Sequence, residues 1–63
     1  MKSEDLAAWQ KAMRFTYEDA ADALGVSRAT YGRYIKDGAP YHIGLACAAL
    51  YAKIPLWTLE KHV

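Results

Sequence analysis

Three cationic side chains with no carboxylate among them mark the segment from Ser27 to Lys36. Arg28, Arg33 and Lys36 lie in this segment, which contains no Asp or Glu. A guanidinium group binds paired acceptors, such as phosphate oxygens or the O6 and N7 atoms of guanine, and an ammonium group binds phosphate as a point charge. A solvated helix face ordinarily mixes its signs. The segment therefore favours the binding of an anionic partner.

The distribution of charge along the chain supports this preference more than the net charge of +1 does. Residues 1–26 contain three Lys/Arg and five Asp/Glu, whereas residues 27–63 contain five Lys/Arg and two Asp/Glu. Glu18, Asp19 and Asp22 are interpreted as a solvated face that complements the dipole of their helix. The basic part of the chain is thus the part expected to meet an anion.

The chain offers no arrangement of side chains that is typical of catalysis. It has no paired acids, no nucleophile beside a base and no phosphate-binding loop. The soft metal ligands are His42, Cys47 and His62, and in a helix the first two would lie roughly 140° apart around the axis. We therefore predict a protein that is not an enzyme and that uses no metal, cofactor or small-molecule substrate.

The length of 63 residues predicts one domain with one small core. Cys47 is the single cysteine, so an internal disulfide is excluded. No run approaches the ~18 apolar residues of a membrane span, and the first residues do not resemble a signal peptide. One unpaired thiol without an export signal predicts a cytoplasmic protein that does not bind membranes.

Glycine and proline divide the chain into predicted helices, and no run shows the two-residue alternation of strands. The first helix is predicted to begin after Ser3 as its N-cap. It carries one apolar stripe, formed by Leu6, Trp9 and Met13 at helical spacing.

The second helix is predicted to begin at Thr16, which forms a capping pattern with Asp19. Its inward residues are Ala20, Ala21 and Leu24. It ends at Gly25, which adopts a left-handed conformation without penalty.

The third helix is predicted to begin at the N-cap Ser27 and to reach about Lys36, with Asp37 and Gly38 as its stop. Its apolar positions are Tyr31, Tyr34 and Ile35.

A fourth helix is predicted from Pro40 to about Lys53, followed by a short C-terminal piece that forms one more turn. Its predicted inward stripe is Ile43, Ala46, Cys47 and Leu50, with Ile54 just beyond. Residues 43–52 contain no charge. Two interpretations stay open: a well-buried central helix, or a helix whose second face is covered by another subunit.

Residues 17–36 have the pattern of two short helices that cross at a tight turn. Ala21 is small enough for close approach, Gly25 tolerates positive φ, and Val26 fills the corner between the helices. With Ser27 as the cap and the apolar residues inward, the third helix presents a narrow outward face of small and basic residues. Such a face is what a helix needs to enter a DNA major groove.

This pattern resembles the Cro/repressor (XRE-like) helix-turn-helix family. The matching residues are Ala21, the Gly25-Val26-Ser27 turn, Tyr31 and Tyr34, and the Asp37-Gly38 stop. The resemblance continues through Pro40 and the alanine-rich stretch to Trp57, so that it covers residues 17–57. It implies an all-α, lambda-repressor-like DNA-binding domain of four to five short helices with a helix-turn-helix at residues 17–36.

The resemblance also implies roles for individual residues. The resemblance places base contacts on the third helix, at Arg28, Ala29 and Arg33. Thr30 and Gly32 are also expected to lie against the bases, with a phosphate as the alternative partner of Thr30. Phosphate contacts are expected around that helix: Tyr17, Ser27, Lys36, Tyr41 and His42. Two departures from the family pattern are Tyr17, where many members have glutamine, and Tyr31, where valine or isoleucine is usual. Gly32 is expected to allow close approach to DNA, with helix packing as the alternative reason for a glycine there.

The function implied is a Cro-like transcriptional regulator of the phage or prophage type in a bacterial host, in the nucleoid-associated cytoplasm. It would bind double-stranded operator DNA as a homodimer through residues 54–63, in particular Leu56, Trp57 and Leu59. One alternative is an excisionase-like architectural DNA-binding protein, which would usually continue into a β-wing. The other is a protein-protein interaction module, such as an antitoxin or adaptor, built on the same scaffold.

Overall fold

The computed structural model of the chain describes residues 1–62 and places them in five helices joined by short connections. The helices are α1 (Ser3–Met13), α2 (Tyr17–Leu24), α3 (Arg28–Asp37), α4 (Tyr41–Tyr51) and α5 (Leu59–His62). No strand occurs within residues 1–62, so the prediction of an all-α fold is confirmed for that part. Residue 63, the last of the predicted dimerisation segment, lies outside the described residues.

Helix α1 begins one residue earlier than predicted, and the prediction of Ser3 as its N-cap is wrong. Lys2 occupies the cap position with extended backbone and provides no side-chain hydrogen bond. The hydroxyl of Ser3 instead donates to the Glu4 carboxylate at 2.9 Å. A backbone hydrogen bond, and then this hydroxyl, hold the pKa of Glu4 below its ordinary value. The predicted stripe is confirmed, because Leu6 and Trp9 are buried.

The start and end of α2 are as the sequence predicts. Thr16 accepts from the backbone N–H of Asp19, whose carboxylate accepts from the N–H of Thr16, each at 3.1 Å. Gly25 follows the helix with φ 70°, and the N–H of Val26 donates to the carbonyl of Ala21 at 3.0 Å. This bond closes the turn, so that only three residues separate the end of α2 from the start of α3.

A buried tyrosine joins α3 to α1. Tyr31 is completely buried, and its hydroxyl donates to Oε1 of Gln10 at 2.7 Å. Its ring also meets the ring of Tyr17 edge to face, with centroids 5.0 Å apart. Burial, followed by the nearby Cys47 and Tyr17, raises the pKa of Tyr31 to about 12. The large residue thus serves as a hydrogen-bonded link between helices as well as part of the core.

Helix α4 is shorter than predicted, because it ends at Tyr51 and not near Lys53. Pro40 is the residue just before its first turn. Lys53 takes a left-handed conformation with φ 57°, and the N–H of Ile54 donates back to the carbonyl of Ala49 at 2.8 Å. This terminus has the geometry that glycine usually supplies, which is why the sequence did not indicate it.

Only one stripe of α4 is buried. Ile43 and Cys47 lie in the core, whereas Leu45 is 54% exposed and Ile54, just beyond the helix, is 61% exposed. Burial raises the pKa of the Cys47 thiol to about 11. Of the two interpretations of α4, the well-buried central helix is therefore wrong, and its second apolar face is open.

The core lies where α1 and α2 each pack against both α3 and α4. Its buried residues come from all four helices: Leu6, Trp9, Ala20, Ala21, Tyr31, Ile43 and Cys47. The described start of the chain also joins the α3–α4 connection, because Met1 and Ala39 exchange two hydrogen bonds of 2.9 Å. A Cβ at Gly38 would come within 2.9 Å of the Met1 carbonyl oxygen, so this pairing requires a glycine.

Candidate nucleic-acid interface

The turn between α2 and α3 fixes where α3 begins and which of its faces points outward. The side chain of Ser27 accepts from the N–H of Thr30 at 3.1 Å, as predicted for an N-cap. Tyr31 is buried, and Tyr34 and Ile35 are half-buried against the core. The inner face of α3 is thereby held along its length, and the opposite face is left to solvent.

The outward face of α3 consists of basic and small side chains. Ala29, Arg33 and Lys36 are exposed and fall within roughly 60° of one another around the helix axis. Arg28 is also exposed, but it is the first residue of the helix and lies roughly 140° from Arg33 around the axis. Among residues 1–62 the structure gives none of these cations a carboxylate partner. The exposed surface of α3 therefore presents three positive charges to an external anion, two on the outward face and one at the start of the helix.

Thr30 lies at the edge of this face in a chain of hydrogen bonds. Its Oγ1 accepts from the hydroxyl of Ser27 at 3.0 Å and from Nη2 of Arg33 at 3.2 Å. Thr30 is half-buried, whereas both of its partners are exposed. The contact with Arg33 was not predicted from the sequence, although a threonine three residues before an arginine in a helix is a spacing that permits it.

Gly32 faces the side chain of Tyr17 in α2. A Cβ at Gly32 would lie 2.6 Å from the Tyr17 hydroxyl oxygen. Packing therefore accounts for this glycine, as in the alternative interpretation of it. The space left by Gly32 admits the Tyr17 hydroxyl beside α3, one helical turn from Arg28. The Tyr17 side chain is still partly exposed there.

The remaining predicted phosphate contacts lie at the start of α4. Tyr41 and His42 are its first two residues, and both are exposed. Tyr41 is 79% exposed, so packing against the side of the domain is not its role in the structure. Both residues come shortly after Lys36 in the sequence, just beyond the α3–α4 connection that is hydrogen-bonded to Met1.

The predicted dimer residues lie on the outside of the domain. Leu56 is 85% exposed, Trp57 69% and Leu59 67%. The segment borders a groove of about 350 Å³ between α2 and α4 that is lined mainly by apolar side chains: Ala23, Leu24, Ala46, Ala49, Leu50, Ile54, Pro55, Leu56 and Trp57. A second apolar groove, of about 390 Å³, runs between α1 and α4 and includes Trp9 and Tyr51.

Metal-binding clusters and membrane-spanning helices are absent from the described part of the chain. Within it, no three His, Cys, Asp or Glu side chains are grouped in a way that could hold a metal ion. Its helices are all too short or too polar to cross a membrane.

The comparisons with known proteins gave no match. No family model, no curated protein and no solved structure is similar to the chain. The assignment of function therefore depends on the chemistry of the α3 face and its surroundings.

Proposed function

We propose that the chain is a sequence-specific DNA-binding transcriptional regulator, a Cro-like repressor of the helix-turn-helix family. The observation that carries the proposal is the basic surface of α3, with Arg33 and Lys36 on its outward face and Arg28 at its first position, all exposed without carboxylate partners in the described part of the chain. The opposite face of the same helix is anchored by the buried Tyr31. A helix whose inner face is packed against the core and whose exposed surface is basic is suited to insertion into a major groove.

Direct recognition of bases is assigned to the start and the outward face of α3. Arg28 and Arg33 would each donate two hydrogen bonds to O6 and N7 of a guanine, and the methyl group of Ala29 would contact a thymine methyl. Thr30 lies at the edge of this face with an oxygen that is already hydrogen-bonded. Gly32 contributes indirectly, because its lack of a side chain leaves room for the Tyr17 hydroxyl beside the helix.

Phosphate contacts would fix the register of α3 in the groove without carrying sequence information. Lys36 would supply a charge, and the Tyr17 hydroxyl a hydrogen bond from the start of α2. Tyr41 and His42 would supply further polar contacts beyond the end of α3. Ser27 would supply one at its start by redirecting the hydroxyl that donates to Thr30 in the free protein. All five side chains are exposed.

A homodimer would present two copies of α3 to the DNA. A single recognition helix makes few base contacts, whereas a two-fold pair reads half-sites about one helical turn, ~34 Å, apart. The exposed Leu56, Trp57 and Leu59 provide apolar surface that a second subunit would cover. This arrangement accounts for large apolar side chains beside an uncharged helix.

The alternative architectural protein would place a β-wing after α3, but that position holds the helix α4, and residues 1–62 contain no strand. A protein-protein adaptor would have no need of three cations without carboxylate partners on one helix. The two remaining classes are separated by selecting bound duplexes from random DNA. A regulator enriches a two-fold symmetric site, whereas an adaptor enriches no sequence, and the second result would refute the proposal.

A further inference from the structure

The two arginines of α3 differ in how they are held. The Nη2 atom of Arg33 donates to Oγ1 of Thr30 at 3.2 Å, and Thr30 is in turn bonded to the cap residue Ser27. The structure gives Arg28 no such contact within the described residues. One guanidinium is therefore tied to the first turn of its helix, and the other is not.

We infer that Thr30 is a positioning residue. It orients the Arg33 guanidinium and thereby determines how strongly the protein discriminates between bases at the base pair that Arg33 contacts. This inference rests on the proposed function of α3. The bond to Thr30 occupies one N–H of the guanidinium and leaves its other donors for a guanine edge. Ser27 contributes by donating to the same oxygen and so helps to fix Thr30.

Preorganisation is the physical reason for the effect. A long side chain that must be immobilised on binding loses rotamer entropy, and a side chain already held in place loses less. The typical cost for one such side chain corresponds to roughly a 2- to 10-fold change in equilibrium constant. A held guanidinium also tolerates misaligned acceptors less well, so that the right base is favoured over a wrong one.

Thr30→Val is a closely matched test of this role. Valine has the same branched shape and a similar helix propensity, so the rotamer and the helix are retained. The N-cap bond also remains, because Ser27 accepts it from the backbone N–H of residue 30. The substitution removes the oxygen that Arg33 contacts, and Thr30→Ser is the conservative control that restores it.

The first measurement needs no DNA. Nitrogen-15 relaxation of the arginine side-chain N–H groups in the free protein should show Arg33 more ordered than Arg28. Thr30→Val should lower the order of Arg33 alone, and Thr30→Ser should retain it. Equal order of the two arginines in the wild type, or an unchanged Arg33 in Thr30→Val, would overturn the inference even if the protein binds DNA as proposed.

The second measurement is a double-mutant comparison of binding to duplexes that differ at the base pair read by Arg33. Thr30→Val should reduce discrimination there by about 2- to 10-fold, with recovery in Thr30→Ser. In the Arg33→Ala background it should have no further effect. An equal loss in both backgrounds would mean that Thr30 contacts DNA itself and is not a positioning residue. Absence of any duplex binding by the wild type would refute the proposed function, and the relaxation measurement would still decide the role of Thr30.

Discussion

Gly32 and Tyr17 occupy one small space between α2 and α3. A glycine inside a helix lowers helix stability by about 1 kcal/mol relative to alanine, so the sequence alone indicates that Gly32 has a structural or functional role. The sequence does not show which role applies, since the Tyr17 hydroxyl approaches from another helix. The same limit holds for Thr30 and Arg33: their spacing is visible in the sequence, but their hydrogen bond depends on rotamers. Exposure of Arg33 and Lys36, by contrast, follows from the helical period.

The contact between Gly32 and Tyr17 predicts non-additive effects of two substitutions. In the wild type, Gly32→Ala gains helix propensity but must displace the Tyr17 hydroxyl, so its net effect on stability is small. In the Tyr17→Phe background the nearest remaining ring atom lies at 3.9 Å, and Gly32→Ala should stabilise the protein by about 1 kcal/mol. Urea unfolding of the four proteins measures the difference. An equal effect in both backgrounds would show that Gly32 does not make room for Tyr17.

At the scale of the helices, local signals predicted most of the starts and ends. The Thr16–Asp19 capping box, the Gly25 turn and the Ser27 cap are formed as the sequence indicates. The ends of α1 and α4 were harder to predict, because Arg14 and Lys53 take the left-handed conformation that glycine favours. Surrounding hydrogen bonds outweigh their steric cost of about 1–2 kcal/mol. The pairing of Met1 with Ala39 joins distant residues and has no local signal.

The crossing of α2 with its neighbours predicts a strong effect of enlarging Ala21. This residue is 1% exposed, so Ala21→Leu should destabilise the domain by about 1–3 kcal/mol or prevent its folding. Ala7→Leu, which enlarges an exposed alanine of α1, is the matched control and should change stability little. Thermal unfolding compares the two variants. A normal melting temperature for Ala21→Leu would show that the helices do not meet at this residue.

The link between α1 and α3 predicts a loss of stability at high pH. Since burial raises the pKa of Tyr31 from its ordinary value near 10 to about 12, the folded state retains a proton that the unfolded state releases first. This contribution is complete below about pH 10 and disappears as the pH rises to about 12. Cys47, with a pKa of about 11, adds a loss in the same direction that begins near pH 9.

Tyr31→Phe tests the tyrosine contribution. The variant should lose about 1 kcal/mol at pH 8, because the bond to Gln10 is absent, but its stability should fall less steeply than that of the wild type between pH 10 and 12. Tyr51→Phe, at an exposed position, should retain the wild-type slope. Denaturant unfolding across this range provides the comparison. Parallel curves for Tyr31→Phe and the wild type would exclude Tyr31 as the source of the slope.

At the scale of the whole molecule, the four packed helices bury one side of α4 and leave its other side and the following segment exposed. The sequence predicted a strongly apolar helix there, because residues 43–52 carry no charge. It did not distinguish burial within the domain from burial by a second subunit. The exposed Leu56 and Trp57 beside the α2–α4 groove are the reason for proposing the second.

Trp57→Ala is expected to weaken both self-association and operator binding while the monomer stays folded, because the side chain lies outside the core. Tyr51→Ala removes an aromatic side chain of similar exposure beside the other groove and is the matched control. Sedimentation of each protein, alone and with the selected duplex, gives the stoichiometry. A wild type that stays monomeric in both conditions would refute the dimer, and an effect of Tyr51→Ala alone would place the interface between α1 and α4.

The central claim is that α3 reads base pairs, and the most direct test is the set of duplexes that four proteins select from random DNA. The wild type should select two half-sites about 10 base pairs apart. Arg28→Ala and Arg33→Ala should each lose preference at one base pair per half-site and weaken specific binding by about 1–3 kcal/mol. Lys36→Ala should select the same site with uniformly weaker and less salt-dependent binding. Selection of no site by the wild type, or of an unchanged site by both arginine variants, would contradict the assignment of α3 as the recognition helix.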